Sequence, residues 1–290
     1  MDMLIAHLRD ADPTPAAVPD LGAWLGRVQA RDVADALTEG FAADRLGYAF
    51  VAGYLAATRA LFGEPGALCA TEAGGGHPRA IQATLTRERE GWRLDGHKTF
   101  VTLGAQAPRL FVVARTERGE VDGRPELVVA RVGPDTPGVR LAPGPATPFV
   151  PEIPHATVAF DGAPVEALPG DGYADFLKPF RTIEDLHVHA ALVGHAIALT
   201  RRGGGDPAPL LALVPTLLAL AAADPKAPAT HLTLDAALRA GRAGLEGVPW
   251  ANLDADTQAR WRRDRPLLDV ARRAREARLA RAQAAAAHRG

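Results

Sequence analysis

The texture of the sequence changes twice, and this limits the possible folds more than any other feature. From Met1 to about Phe62 the apolar residues recur at helical spacing: Leu21, Trp24, Leu25 and Val28, then Leu46, Phe50, Val51, Tyr54, Leu55 and Leu61. Asp20 is placed to cap the first of these helices, and Gly63-Glu64-Pro65-Gly66 ends the second. From Ala67 to about Leu168 short β-type runs follow one another: 68–71, 83–86, 92–94, 98–102, 110–114, 127–132 and 156–160. Gly, Pro and Asp punctuate them. The segments 83–86 and 92–94 flank a turn and predict a hairpin. From about Gly172 the pattern is helical again, with helices expected over 184–202, 209–222 (broken or kinked at Pro215), 233–245 and 266–287. The expected class is a multi-segment α+β fold: N-terminal helices, a middle β-barrel or sandwich, and a C-terminal helical bundle. The segment boundaries fall at 1–66, 67–168 and 169–290.

Composition narrows the function. Of the 290 residues, 47% are apolar and 23% charged, the range of a globular chain that can bury a core. With 33 basic and 34 acidic residues the net charge is -1, so the chain as a whole has no electrostatic pull toward nucleic acid or a membrane surface. The balance is uneven, however. Residues 260–290 hold ten Arg against Asp264, Asp269 and Glu276. That basic stretch is either a nucleic-acid-binding arm or a helix docked on its own chain. No aromatic residue is interleaved with the Arg run after Trp261, which favours the docked helix. The N-terminus shows no basic region followed by an apolar run, so no secretory signal is expected. The uncharged stretch 207–223 contains three Pro and reads as a buried helix rather than a membrane span. The expected location is the cytoplasm.

Several chemistries are excluded or weakened by the residues themselves. The chain contains no serine, so a serine nucleophile is ruled out. Cys69, the one cysteine, lies in an apolar run and reads as structural; neither a disulfide nor a cysteine-based metal cage can form within the chain. His187, His189 and His195 share one predicted helix, but their spacing does not gather three ligands on one face, and no HExxH occurs. Gly74-Gly75-Gly76-His77-Pro78 could cradle a phosphate, yet no βαβ unit or Walker lysine follows it, so a tight turn is the simpler reading. Thr71 at one strand end, with Phe100 and Thr102 at another, offers an aromatic wall beside hydroxyls, which suits a flat heteroaromatic ligand. Glu184-Asp185 opens a predicted helix, where acidic residues are ordinarily favoured by the helix dipole.

Taken together, these stretches resemble the acyl-CoA dehydrogenase family. Residues 69–76, CATEAGGG, are similar to its TEPGAGS segment. Residues 96–102, GHKTFVT, follow 25 positions after Thr71 and resemble its GxKxWITN strand. Residues 110–116, LFVVART, resemble LFLVVART. Val158-Ala159-Phe160-Asp161 with Pro164-Val165 and Leu168 resembles VFDDVRVPxxNLLG, and residues 171–194 resemble the first helix of the family's C-terminal bundle.

The resemblance implies FAD held between barrel and bundle, and α,β-desaturation of an acyl thioester. A carboxylate takes the α-proton while the β-hydrogen leaves as hydride. It implies that Ala70 (through its backbone) and Thr71 bond the flavin's pyrimidine side, that Phe100 packs on the ring, and that Thr102 sits near its reactive nitrogen. His77 occupies the place of the family's serine beside the CoA moiety. The implied partners are an acyl-CoA or related acyl thioester, an electron acceptor and further copies of the chain; neither nucleic acid nor membrane is implied. Counting from Arg263-Asp264, the glutamate of the family's YEGT segment falls on Arg272, which cannot take a proton at neutral pH. Counting back from Val193-Gly194, the base used by the isovaleryl-CoA and long-chain types falls on Glu184, with Asp185 second. The RxxFG and HGGxGY segments are absent, the N-terminal helical region is short, and the bundle is compressed. Two readings follow: an active flavoenzyme using Glu184, or a degenerate homologue acting as a binding or partner subunit.

Overall fold

In the computed structural model, residues 1–121 and 123–288 are described. The observed order is helices, then strands, then helices. The first helices are α1 (Asp2–Asp10), α2 (Leu21–Leu25), α3 (Val33–Ala42) and α4 (Leu46–Phe62). The strands are β1 (Ala67–Cys69), β2 (Thr84–Glu88), β3 (Gly91–Thr102), β4 (Leu110–Val121), β5 (Arg124–Val132), β6 (Val139–Pro143) and β7 (His155–Ala167). After them come α5 (Lys178–Arg202), α6 (Ala208–Leu211), α7 (Val214–Ala221), α8 (Pro228–Glu246), α9 (Ala255–Asp264) and α10 (Arg272–Ala287). The mixed α+β class read from the sequence is the class observed.

The chain forms two compact units. One, mainly strands, comprises residues 61–147 and 153–181; the other, mainly helices, comprises 1–60, 148–152 and 182–290. In the sheet unit the strands pair in the order β1-β4-β2-β3-β7-β5, with β6 on β7 and a further pairing of β4 with β5. The expected hairpin is present, as β2 antiparallel to β3. The short strand β6, which ends in Pro143, has no counterpart among the expected β runs. On one face Ile81, Phe111, Val113, Leu127, Val129 and Leu177 form the core, with Phe62 stacked on Phe111 at 3.9 Å. Cys69, the last residue of β1, is fully buried, and burial pushes its thiol up to about 12, so it is neutral and inert, as its apolar surroundings suggested.

In the helical unit α5 is the axis. Its apolar residues Ala190, Ala191, Val193, Ala196 and Ile197 are buried, and α3 and α4 cross it at backbone contact. Glycine makes that approach possible. A methyl group on Gly40 would overlap the carbonyl of Ala191, and one on Gly194 the carbonyl of Leu37. Because the opposing atoms are backbone, no rotamer change can relieve the overlap. Gly194→Ala is expected to cost about 3 kcal/mol of stability, the upper range for overpacking. This would be read as a lower urea midpoint at unchanged slope; an unchanged midpoint would mean that the two helices do not touch there.

Two helices differ from expectation. Residues 209–222 form α6 and α7 rather than one kinked helix, and Pro215 lies in the first turn of α7, where its missing N–H costs nothing. The apolar residues Leu267, Leu268, Val270, Ala271, Ala274 and Leu279 predict an inward face for one last helix over 266–287. A 3-10 turn spans Arg265–Asp269 instead, Val270 is 66% exposed, and Ala274 is exposed. The inward positions of α10 include Arg278 and Ala282. Arg275 and Arg278 both bind the buried Asp185 of α5, at 2.9 and 2.6 Å. The basic stretch is thus a helix docked on its own unit, fastened by ions where apolar packing was expected.

Arg263-Asp264 has a structural task in the same unit. Asp264 is fully buried, accepts the Val150 N–H at 2.7 Å and pairs with Arg263 at 2.6 Å. Val150 has φ +41°, a strained conformation for a β-branched residue. This buried carboxylate holds the strained segment 148–152.

Candidate functional site

The sheet unit brings together the ends of β1 and β3. The Thr71 carbonyl accepts the Thr99 N–H at 2.7 Å, so Thr71 is bound to the residue before Phe100. The chain then turns back on itself: Glu72 and Gly75 exchange N–H···O bonds, with Gly75 at φ +97°, the left-handed region that glycine enters freely. A Cβ on Gly76 would touch the Thr71 hydroxyl oxygen at 3.4 Å, so the glycine loop folds back over Thr71. His77 is exposed, and its Nδ1 accepts the Arg79 N–H at 3.2 Å, capping the turn Pro78–Ala80.

A buried ion pair fixes this arrangement. Lys98, fully buried, donates to Glu72 Oε1 and to the Val113 carbonyl, each at 2.6 Å. Glu72 also accepts the N–H groups of Gln82 and Ala83 at 2.7 and 3.1 Å. Burial pulls the Lys98 ammonium below its ordinary value, while Glu72 pulls the other way. Both carboxylate oxygens of Glu72 are therefore engaged in structure. The sequence placed Glu72 and Lys98 in their segments, but gave no sign that they pair.

Between Lys98 and Val101 the register of β3 against β7 shifts. Lys98 faces Val158 and Val101 faces Ala156, so Thr99 and Phe100 together oppose one residue. Such a bulge re-aims a side chain. Phe100 has φ +56°, unusual for a non-glycine residue, and the residue is 46% exposed. Leu103 and Gly104 also have positive φ, at 67° and 48°. Strain held at a strand end beneath an exposed aromatic ring points to a ligand-facing surface. Thr102 is half-buried and lies directly opposite His155 on β7. The His155 ring stands 4.9 Å from Phe100, tilted by 52°. Sequence reasoning passed over His155; only the β3–β7 register places it here. Ala70 is buried in the core face of the sheet, so only its backbone can meet a ligand. The exposed Phe100 beside the half-buried Thr102 hydroxyl fits the face and edge of a flat heteroaromatic group.

Glu184 belongs to the helical unit, half-buried on α5. Its neighbour Asp185 is buried under Arg275 and Arg278, which occupy its two oxygens. Asp185 is therefore a structural carboxylate, which leaves Glu184 as the remaining acidic candidate. His187, His189 and His195 are buried core residues, as expected, each bonded to a main-chain carbonyl: Ile183, Ala237 and Ala43, respectively. A cavity of about 630 Å³ also opens in the helical unit, walled by Trp250 and Trp261 stacked at 4.5 Å, with Pro266 and Leu268. Arg242 at its edge is already bonded to Glu246 and Asp269, and none of the expected site residues lines it.

Comparison with known proteins bears on the fold. Residues 67–163 match the family model for the acyl-CoA dehydrogenase middle domain. No curated protein matches the sequence. Among solved structures, butyryl-CoA dehydrogenase from Megasphaera elsdenii is similar at TM-score 0.62 and 15% identity, over 93% of this chain and 85% of that one. FkbI, described as acting in biosynthesis of a methoxymalonyl extender unit, gives TM-score 0.61 and 19% identity over 98% and 92%. The FAD complex of PigA gives 0.66 and 14% over 97% and 88%. No helix among the described residues is long and apolar enough to cross a membrane. The chain therefore carries an acyl-CoA dehydrogenase middle domain at residues 67–163, set within the α+β fold of the acyl-CoA dehydrogenases.

Proposed function

We propose that the protein is a flavin-dependent oxidoreductase that desaturates an acyl thioester, with Glu184 as the base. The observation that carries this reading is the exposed Phe100 ring, held by a strained bulge beside Thr102 and tied through Thr99 to Thr71. The FAD complex among the similar folds supports FAD as the flat ligand. Phe100 packs on the ring plane, the Thr71 hydroxyl and the Ala70 backbone bond its polar edge, and Thr102 donates beside its reactive nitrogen. His77 meets the carrier portion of an acyl-CoA or related thioester. Glu184 removes the α-proton, and bound FAD supplies the hydride acceptor. An electron acceptor then reoxidises the protein, which acts as a homo-oligomer in the cytoplasm, with the sheet segment 67–168 as the flavin-bearing part between helical segments 1–66 and 169–290.

A second reading, a binding or partner subunit without turnover, is favoured by Arg272 at the family's usual base position and by the use of Asp185 as a structural clamp. Spectra separate the two. The active protein purifies yellow and bleaches on addition of an acyl-CoA. Glu184→Gln is expected to keep the bound flavin and slow bleaching roughly 100- to 10,000-fold, the usual range for losing a general base. A folded, colourless protein that added FAD does not restore would establish the second reading.

A further inference from the structure

His155 is an expensive residue for the place it occupies. Its backbone is locked: its carbonyl accepts the Gly144 N–H at 2.8 Å, and the Pro154 carbonyl beside it accepts the Leu103 N–H at 2.9 Å. A Cβ on Gly104 would touch the neighbouring Ala156 side chain at 2.7 Å, so the turn after β3 is pressed close against β7 here. The ring's Nδ1 is buried and has no hydrogen-bond partner among the described residues. Burial alone holds the imidazole below its ordinary value, so it is neutral at pH 7. A neutral imidazole carries one proton on one of two nitrogens. An orphaned buried N–H is rarer than an orphaned acceptor, so the proton is assigned to Nε2, the ring nitrogen farther from the backbone of this half-buried residue, and Nδ1 keeps its lone pair.

As a support for Phe100 alone, a phenylalanine at this position would serve better, since it would bury no unsatisfied nitrogen. We propose that His155 is a binding residue that presents its Nε2–H to an acceptor on the rim of the flat ligand lying on Phe100. This rests on the flavin reading above and adds a third side-chain polar contact to those of Thr71 and Thr102, beside the Ala70 backbone. The residue thus trades stability for ligand binding, and the two effects have opposite signs.

That opposition makes the test. His155→Phe in the full-length chain stripped of flavin is expected to raise the thermal midpoint by about 2 to 4 °C, because the orphan nitrogen is gone. The same variant is expected to bind FAD about tenfold more weakly in a fluorescence titration. His155→Gln, which keeps an N–H donor, is expected to stay within about threefold of the parent. Equal FAD affinity in parent and His155→Phe would reduce the ring to a buttress and overturn the proposal, as would a tenfold loss in His155→Gln. A parent chain that binds no FAD at all would instead overturn the flavin reading, and the inference with it.

Discussion

Between pH 6.5 and 4 the protein will lose much of its stability, and the loss will come from histidines inside the helical unit. Burial pushes His189 and His195 down to about 4, against the opposing pull of the carbonyls of Ala237 and Ala43. His187 is shifted in the same direction, again chiefly by burial. In the unfolded chain these rings titrate near 6.5. As the pH falls below 6.5 the unfolded chain takes up protons that the folded chain refuses, so stability falls. It is fully present above 6.5 and lost progressively down to about 4, where both states are protonated. Each fully buried ring is worth about 3 kcal/mol over that window. Two such rings remove about 6 kcal/mol, set against a usual total of about 5–15. Urea unfolding followed by circular dichroism from pH 8 to 4.5 measures this directly. Stability that stays flat from pH 7 to 5 would mean that these rings are hydrated and that α5 does not pack as described.

Glu72→Gln is expected to cost about 3–5 kcal/mol, although the amide oxygen can still accept from one of the two N–H groups, Gln82 or Ala83, that now meet separate carboxylate oxygens. The cost lies in Lys98, left as a buried ammonium with only the Val113 carbonyl as a good partner. Lys98→Met should cost a similar amount by stranding Glu72. The double variant should cost clearly less than the sum of the two, since each single change leaves a lone charge and the double change leaves none. Thermal and urea midpoints of the three variants complete the cycle. Strict additivity would show that the two charges are hydrated and do not depend on one another. Because this pair ties the turn after Thr71 to β3, FAD binding should fall along with stability in either single variant.

The sequence revealed the order of elements and the two strand ends because local signals govern both. Apolar spacing announces α4 and α5, and the turn between residues 88 and 91 announces the hairpin. Thr71 and Phe100–Thr102 were legible through resemblance, and their closeness follows from one backbone bond between Thr71 and Thr99. What escaped notice depends on register or on pairing across long separations. The left-handed turn at Phe100 arises only because two residues of β3 face one of β7. His155 joins the site by the same register. The clamp of Asp185 by Arg275 and Arg278 spans some ninety residues, and nothing near Asp185 foreshadows it. The expected inward face of α10 failed for a related reason: apolar periodicity cannot foresee a helix seated by guanidinium groups.

The division of the chain has a consequence for how the protein can be made. The polypeptide passes between the two compact units four times, and the helical unit takes its parts from 1–60, 148–152 and 182–290. The segments that complete its centre leave the ribosome last. During synthesis α3 and α4 must wait, their glycine-lined contact faces uncovered, until α5 emerges to fill them. The early helices are thus natural clients for a chaperone at the tunnel exit. A nascent chain arrested before residue 182 should expose its N-terminal segment to protease, whereas the released full-length chain should protect it.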